Sequence, residues 1–121
     1  MTVAILRYKG ERIGLKADGV DEFLRDGSPK GLRILDLEAV LDGVKGTYTK
    51  PLLARLKDGK SALRIDDLID IIEVEEDQLL MLPPLVQIHM AGALDSRVIY
   101  REGEQVMLLV DPDCITSQRR R

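Results

Sequence analysis

Residues 5–24, ILRYKGERIGLKADGVDEFL, lie without a gap on residues 53–72, LARLKDGKSALRIDDLIDII, when moved forward by 48 positions. Arg7 falls on Arg55, Lys9 on Lys57, Leu15 on Leu63 and Asp18 on Asp66. Val20 then falls on Leu68, Glu22 on Asp70, Phe23 on Ile71 and Leu24 on Ile72. In the later copy Asp58-Gly59 separates two short runs. That pair is a hairpin signal, because the tight turn requires positive φ. Lys9-Gly10-Glu11 takes the same place in the earlier copy. Each copy therefore reads as strand, turn, strand, acidic bend and strand, with the later bend at Asp66-Asp67. Two such copies imply two related β subdomains. The plainer alternative is a pair of ordinary hairpins of similar composition.

The copies also end alike. Ile34-Leu35-Asp36-Leu37-Glu38 and Leu109-Val110-Asp111-Pro112-Asp113 both read as strand, Asp, helix. Asp36 is a fitting N-cap for a short helix over 36–41 closed by Asp42-Gly43. Asp111-Pro112 starts a second helix, with proline in the first turn. The distance from bend to helix differs: Asp18 to Asp36 is 18 positions, Asp66 to Asp111 is 45. The first copy is thus 27 positions shorter there, room for roughly two strands of 5–6 residues and a turn. A breaker cluster, Asp26-Gly27-Ser28-Pro29-Lys30-Gly31, occupies the shortened place. In the second copy the expected order is an acidic loop over 73–78, an apolar run stopped by Pro83-Pro84, and an extended segment over 86–91. Strands over 96–101 and 105–110 follow, joined by a turn at Glu102-Gly103-Glu104. The reading divides the chain at residue 46: an abbreviated first subdomain (1–46), a second (47–116) and a flexible tail (117–121).

With 121 residues the chain makes one small domain or two subdomains sharing a core. Its hydrophobic fraction of 45% and charged fraction of 32% fit a globular protein. The net charge of −3, with bases interspersed among acids, argues against nucleic-acid binding, which needs a basic field. A single cysteine, Cys114, permits neither an internal disulfide nor a cysteine-rich zinc site; it reads as a small buried hydrophobe. No run approaches the ~20 apolar residues that cross a bilayer. The N-terminus does not read as a secretory signal, so the expected compartment is the cytoplasm, without membrane insertion.

No catalytic constellation stands out. His89, the only histidine, lies between Ile88 and Met90 in what reads as an apolar strand, where a structural role outweighs a catalytic one. Phosphate-cradling glycine loops and metal-ligand spacings are missing. The acid pairs Asp66/Asp67 and Glu75/Glu76 read as bends and solvated loops. The expectation is no enzyme, no cofactor and no metal, but a β protein acting through its surfaces and edges.

The bend segments, 15–24 (LKADGVDEFL) and 62–72 (ALRIDDLIDII), resemble the strand–bend–strand segment of the CheW-like family of bacterial chemotaxis. The stretch 32–41, LRILDLEAVL, is similar to that family's apolar–Asp–Leu ending of the first subdomain. Residues 79–83 with 106–111 resemble the closing part of the second. The resemblance implies a mainly β fold: two small CheW-like (SH3-like) β-barrel subdomains with short helices, the first truncated. It also implies a non-enzymatic adaptor that couples a chemoreceptor to a CheA-like histidine kinase through barrel surfaces. The family's proline-rich loop and Asn-Leu-Arg-Gly segment of the first subdomain have no counterpart here beyond residues 26–31, so contacts made there are not carried over. The shortened barrel is expected to be open, with an unpaired edge along 32–35 or 20–24. Such an edge recruits a further strand, which makes a homo-oligomer an expected consequence. If there is an interface on the first copy, Ile13, Leu15, Val20 and Phe23 are its candidates; their competing role is core packing. The alternative function is a small β-barrel interaction or assembly module outside chemotaxis.

Overall fold

Short-range chemistry places the turns where the repeat puts them. Strands β1 (Thr2–Tyr8) and β2 (Glu11–Lys16) are joined through Lys9 and Gly10, both at positive φ. Strands β5 (Pro51–Leu56) and β6 (Ser61–Glu73) are joined through a turn with Gly59 at positive φ. There Asp58 accepts the backbone N–H groups of Lys60 and Ser61 and the Ser61 hydroxyl. The computed structural model describes residues 1–25 and 31–118. The breaker residues 26–30 and the last tail residues 119–121 lie outside the described residues.

After the hairpin the copies diverge in detail. In the first, a 3-10 turn at Ala17–Gly19 separates β2 from β3 (Val20–Leu24). In the second, β6 runs through as one strand of 13 residues. It bends where the sequence expects: Arg7 faces Asp66, Leu6 faces Leu68 and Ile5 faces Asp70, which leaves Asp67 and Ile69 as extra residues. The remaining elements are β4 (Arg33–Asp36), helix α1 (Leu37–Asp42), β7 (Leu79–Met81), helix α2 (Pro84–Gln87), β8 (Leu94–Ile99), β9 (Met107–Val110) and helix α3 (Pro112–Gln118). The fold is mainly β. Helix α1 is capped as expected: the Asp36 carboxylate accepts the Ala39 N–H, and Gly43 closes it at φ 76°.

The strands form one ladder in the order β3-β5-β6-β1-β2-β9-β8-β7, with β4 on the free side of β6. The two copies exchange strands. β3, from the first copy, pairs with β5 of the second; the end of β6, from the second, pairs with β1 of the first. Moved by 48, these pairings coincide to within two residues: Val20 faces Leu56, whereas Leu68 faces Leu6. The closing strands cross over too. β4 lies parallel to β6 with Ile34 opposite Ala62, and β9 lies parallel to β2 with Leu109 opposite Gly14. Gly14 and Ala62 are repeat equivalents, so the strand–Asp–helix endings match in space as well as in sequence.

Two half-sheets result. The short half holds β3, β5, the start of β6, and β4. The long half holds the end of β6 with β1, β2, β9, β8 and β7. The 27 extra positions supply β8, beside β9, and β7, beside β8; among the described residues β4 has no such neighbours. The ladder is open, ending at β3 and β7. Between the halves sits the larger core, drawn from equivalent pairs such as Ala4 and Leu52, Leu6 and Ala54, Leu15 and Leu63, and Leu35 and Val110. Burying each large aliphatic side chain there contributes about 1.5–3 kcal/mol. A second core, of Val3, Ile5, Val74, Ile99, Met107 and Leu109, belongs to the long half. Because successive strand residues face opposite ways, Ala4 and Leu6 serve one core while Val3 and Ile5 serve the other.

One segment departs from expectation. Residues 86–91 are not extended: α2 and the turns after it occupy this place. Pro84 sits in the first turn, the Pro83 carbonyl accepts the Val86 and Gln87 N–H groups, and the Gln87 side chain donates to the Leu82 carbonyl. His89 is exposed in the turn that follows, not packed in a strand. Cys114 is half-buried.

Candidate functional site

The four residues singled out from sequence do not form an exposed patch. Ile13, Leu15 and Val20 are buried in the larger core, and Phe23 packs half-buried against it. In the isolated chain they hold the halves together.

Exposed apolar surface lies elsewhere. β7 and α2 form the far tip of the long half, where Met81, Leu85 and Ile88 are 65%, 76% and 72% exposed. Leu80 and Val86 add to it, and Leu108 faces outward on β9, two strands away. Pro83-Pro84 ends β7 after three residues and turns the chain into α2, so these side chains project instead of folding back. Single exposed leucines are ordinary; a cluster of this kind marks a contact surface. The sequence signal was the apolar run Leu79–Leu82 stopped by Pro83-Pro84, with Val86 and Ile88 in what reads as an extended segment over 86–91.

A charged cluster braces the base of that half. Lys16 on β2 places its ammonium 2.6 Å from Asp95 and 3.2 Å from Asp111. Arg97 also donates to Asp95, from its backbone N–H at 2.9 Å and its Nε at 3.2 Å. Burial alone would raise the Asp95 carboxyl; the bonds from Arg97 and Lys16 outweigh it and bring it down to about 2. Burial alone would lower the Lys16 ammonium, but the two carboxylates hold it above its ordinary value. Asp111 caps α3 as well, accepting the Asp113 N–H.

At the equivalent place in the short half, the linker of residues 43–50 is tied down. The Tyr48 hydroxyl donates to Asp36 and accepts the Glu38 N–H, and Asp36 also accepts from Gly46. Burial and the adjacent Asp36 carboxylate push the Tyr48 phenol up. Asp66, nearly buried, accepts the Thr49 hydroxyl and the Lys50 and Asp67 N–H groups, a structural use of an acid pair. Among the described residues no group of three or more His, Cys, Asp or Glu side chains could hold a metal ion. A concavity of about 380 Å³ between the β1–β2 turn and residues 101–107, edged by Glu11, Arg12, Arg101 and Glu104, carries charges of both signs. Among the described residues no helix is long and apolar enough to cross a membrane.

No family model matches the sequence, and no curated protein does. Among solved structures the chain is similar to the crystal structure of the scaffolding protein TtCheW from Thermoanaerobacter tengcongensis, with a TM-score of 0.69 and 15% identity. The match covers 90% of this chain and 82% of that one. At this identity the likeness is one of fold, and the fold is CheW-like.

Proposed function

We propose that this chain is a non-enzymatic adaptor or scaffold of chemotaxis-type signal transduction, working in the cytoplasm and binding a CheA-like histidine kinase, a chemoreceptor, or both. In sequence order it is a single CheW-like domain, abbreviated over 1–46 and complete over 47–116. The observation that carries the reading is the exposed apolar tip of β7 and α2 on a CheW-like fold. Such a tip supplies the apolar centre of a protein interface, which in a specific complex buries about 1,600 Å² in total. Ile13, Leu15, Val20 and Phe23 act behind such a surface, by keeping the halves in register.

The test is calorimetric titration against the regulatory domain of a CheA-like kinase and against a receptor signalling tip. Saturable binding to one of them, lost on Leu85→Glu with Ile88→Glu, supports the adaptor. Absence of binding to both at tens of micromolar overturns it. A second reading, an assembly module outside chemotaxis, draws on the open ladder, whose end strands β3 and β7 pair on one side only among the described residues. Sedimentation at micromolar concentration separates it: a single species at the monomer mass removes self-association.

A further inference from the structure

The long half shows what surrounds a closing strand when its neighbours are present. β8 lies antiparallel to β9, with Leu94 opposite Val110, Val98 opposite Leu108 and Ile99 opposite Met107. Its Ile99 side chain completes the second core over Leu109, Met107, Ile5 and Ile72. Its Asp95 receives the Lys16 ammonium.

Every acceptor position of that arrangement recurs in the short half. β4 stands for β9, so Ile34 and Leu32 replace Leu109 and Met107; Leu53 and Leu24 replace Ile5 and Ile72. Leu24, Leu32 and Ile34 are only half-buried, and no second core forms there among the described residues. Arg64 replaces Lys16. It lies opposite Leu53 on β5 and Asp36 on β4, so all three share this face. Asp36 is engaged by Tyr48, Ala39 and Gly46. Among the described residues no carboxylate comes within ion-pair distance of Arg64, and β4 pairs with β6 alone. The half-buried Arg64, an apolar face and a strand edge unpaired among the described residues thus converge where the other half receives a strand.

We propose that the short half is completed in trans. An extended segment of a partner protein adds antiparallel to β4 as β8 adds to β9. It lays an apolar side chain over the half-buried Leu24, Leu32 and Ile34 and sets one carboxylate on Arg64. Main-chain bonds to an open edge supply affinity, and the side chains supply selection. A charge-assisted guanidinium–carboxylate pair is the strongest single discriminator in such a seat. The partner is recognised as an apolar strand carrying a single acid, and the complete half of this chain contains the nearest sample of one.

The probe is therefore an end-blocked peptide of residues 91–101, AGALDSRVIYR, titrated into the isotope-labelled chain and followed by amide shifts and hydrogen exchange. Saturable shifts with new protection at residues 32–36 are expected. The Asp95→Asn peptide on the parent chain, and the parent peptide on the Arg64→Gln chain, should each bind about tenfold more weakly, a loss of one charge-assisted bond. Arg64→Lys should retain part of the affinity. No saturable binding overturns the proposal, as does equal affinity of both peptides. So do shifts confined to β9 and β7, which would mean that the peptide replaces its own strand. If the chain alone sediments as a dimer with residues 32–36 already protected, a second copy holds the edge and the proposal falls.

Discussion

The short and long halves are built on the same hairpin, and they differ in how they are finished. In the long half the closing strand has neighbours, a private core and a charge cluster. In the short half the same positions carry the same kinds of residue, but no second core forms among the described residues. The shared core between the halves draws on equivalent positions of the two copies, so the 27-position difference lies at the periphery.

The comparison breaks most readily at the equivalent residues Leu109 and Ile34. Leu109→Ala, in a filled core, should cost about 3 kcal/mol. Ile34→Ala, on a half-covered face, should cost less than half of that; equal losses in urea unfolding would mean that the short half has a hidden core. Next are Gly14 and Ala62. A Cβ on Gly14 would lie 2.9 Å from Val3 and 3.1 Å from Ile99. Gly14→Ala should therefore destabilise by about 2 kcal/mol through overpacking, whereas Ala62→Gly should cost only about 0.5–1 kcal/mol, through backbone entropy.

Asp95 sharpens the contrast through pH. Its carboxyl is held at about 2 in the folded chain, below the roughly 3.9 of an unfolded aspartate. The stability it contributes is complete above about pH 4 and is lost as pH falls from there through the folded value. Asp95→Asn should cost about 1.5 kcal/mol near neutrality, and parent and variant should converge in acid urea titrations. Arg64→Gln should leave stability within about 0.5 kcal/mol at every pH. The linker adds a modest effect: Tyr48→Phe removes one bond to Asp36 and one from Glu38, and should lower the unfolding free energy by about 1 kcal/mol in urea unfolding.

The duplication, both hairpin turns, the Asp36 and Asp111 caps and the two absent strands were all legible in sequence, because each depends on residues close together in the chain. The strand exchange was not. Alternation along β5 separates Leu52 and Ala54 from Leu53, but it is silent on whether β3 pairs with its own copy or the other, since either choice buries the same face. The tip of β7 and α2 was misread for a related reason. Leu85, Val86 and Ile88 are apolar, and only Pro84 and the Gln87 bond to Leu82 decide that they lie in a helical turn facing outward. On the first copy, Ile13, Leu15 and Val20 take their competing role in the core, because alternation alone does not say which face of a strand is covered.

The crossing of the closing strands has a consequence for synthesis. β2 pairs with β9, so residues 14 and 15 wait for residues 109 and 110 before that ladder can form. A ribosome that has released the first hairpin holds it without its outer neighbour until residues 109 and 110 have emerged. Contacts this distant in sequence slow the final docking step, and the nascent chain spends that interval with the outer edge of β2 uncovered.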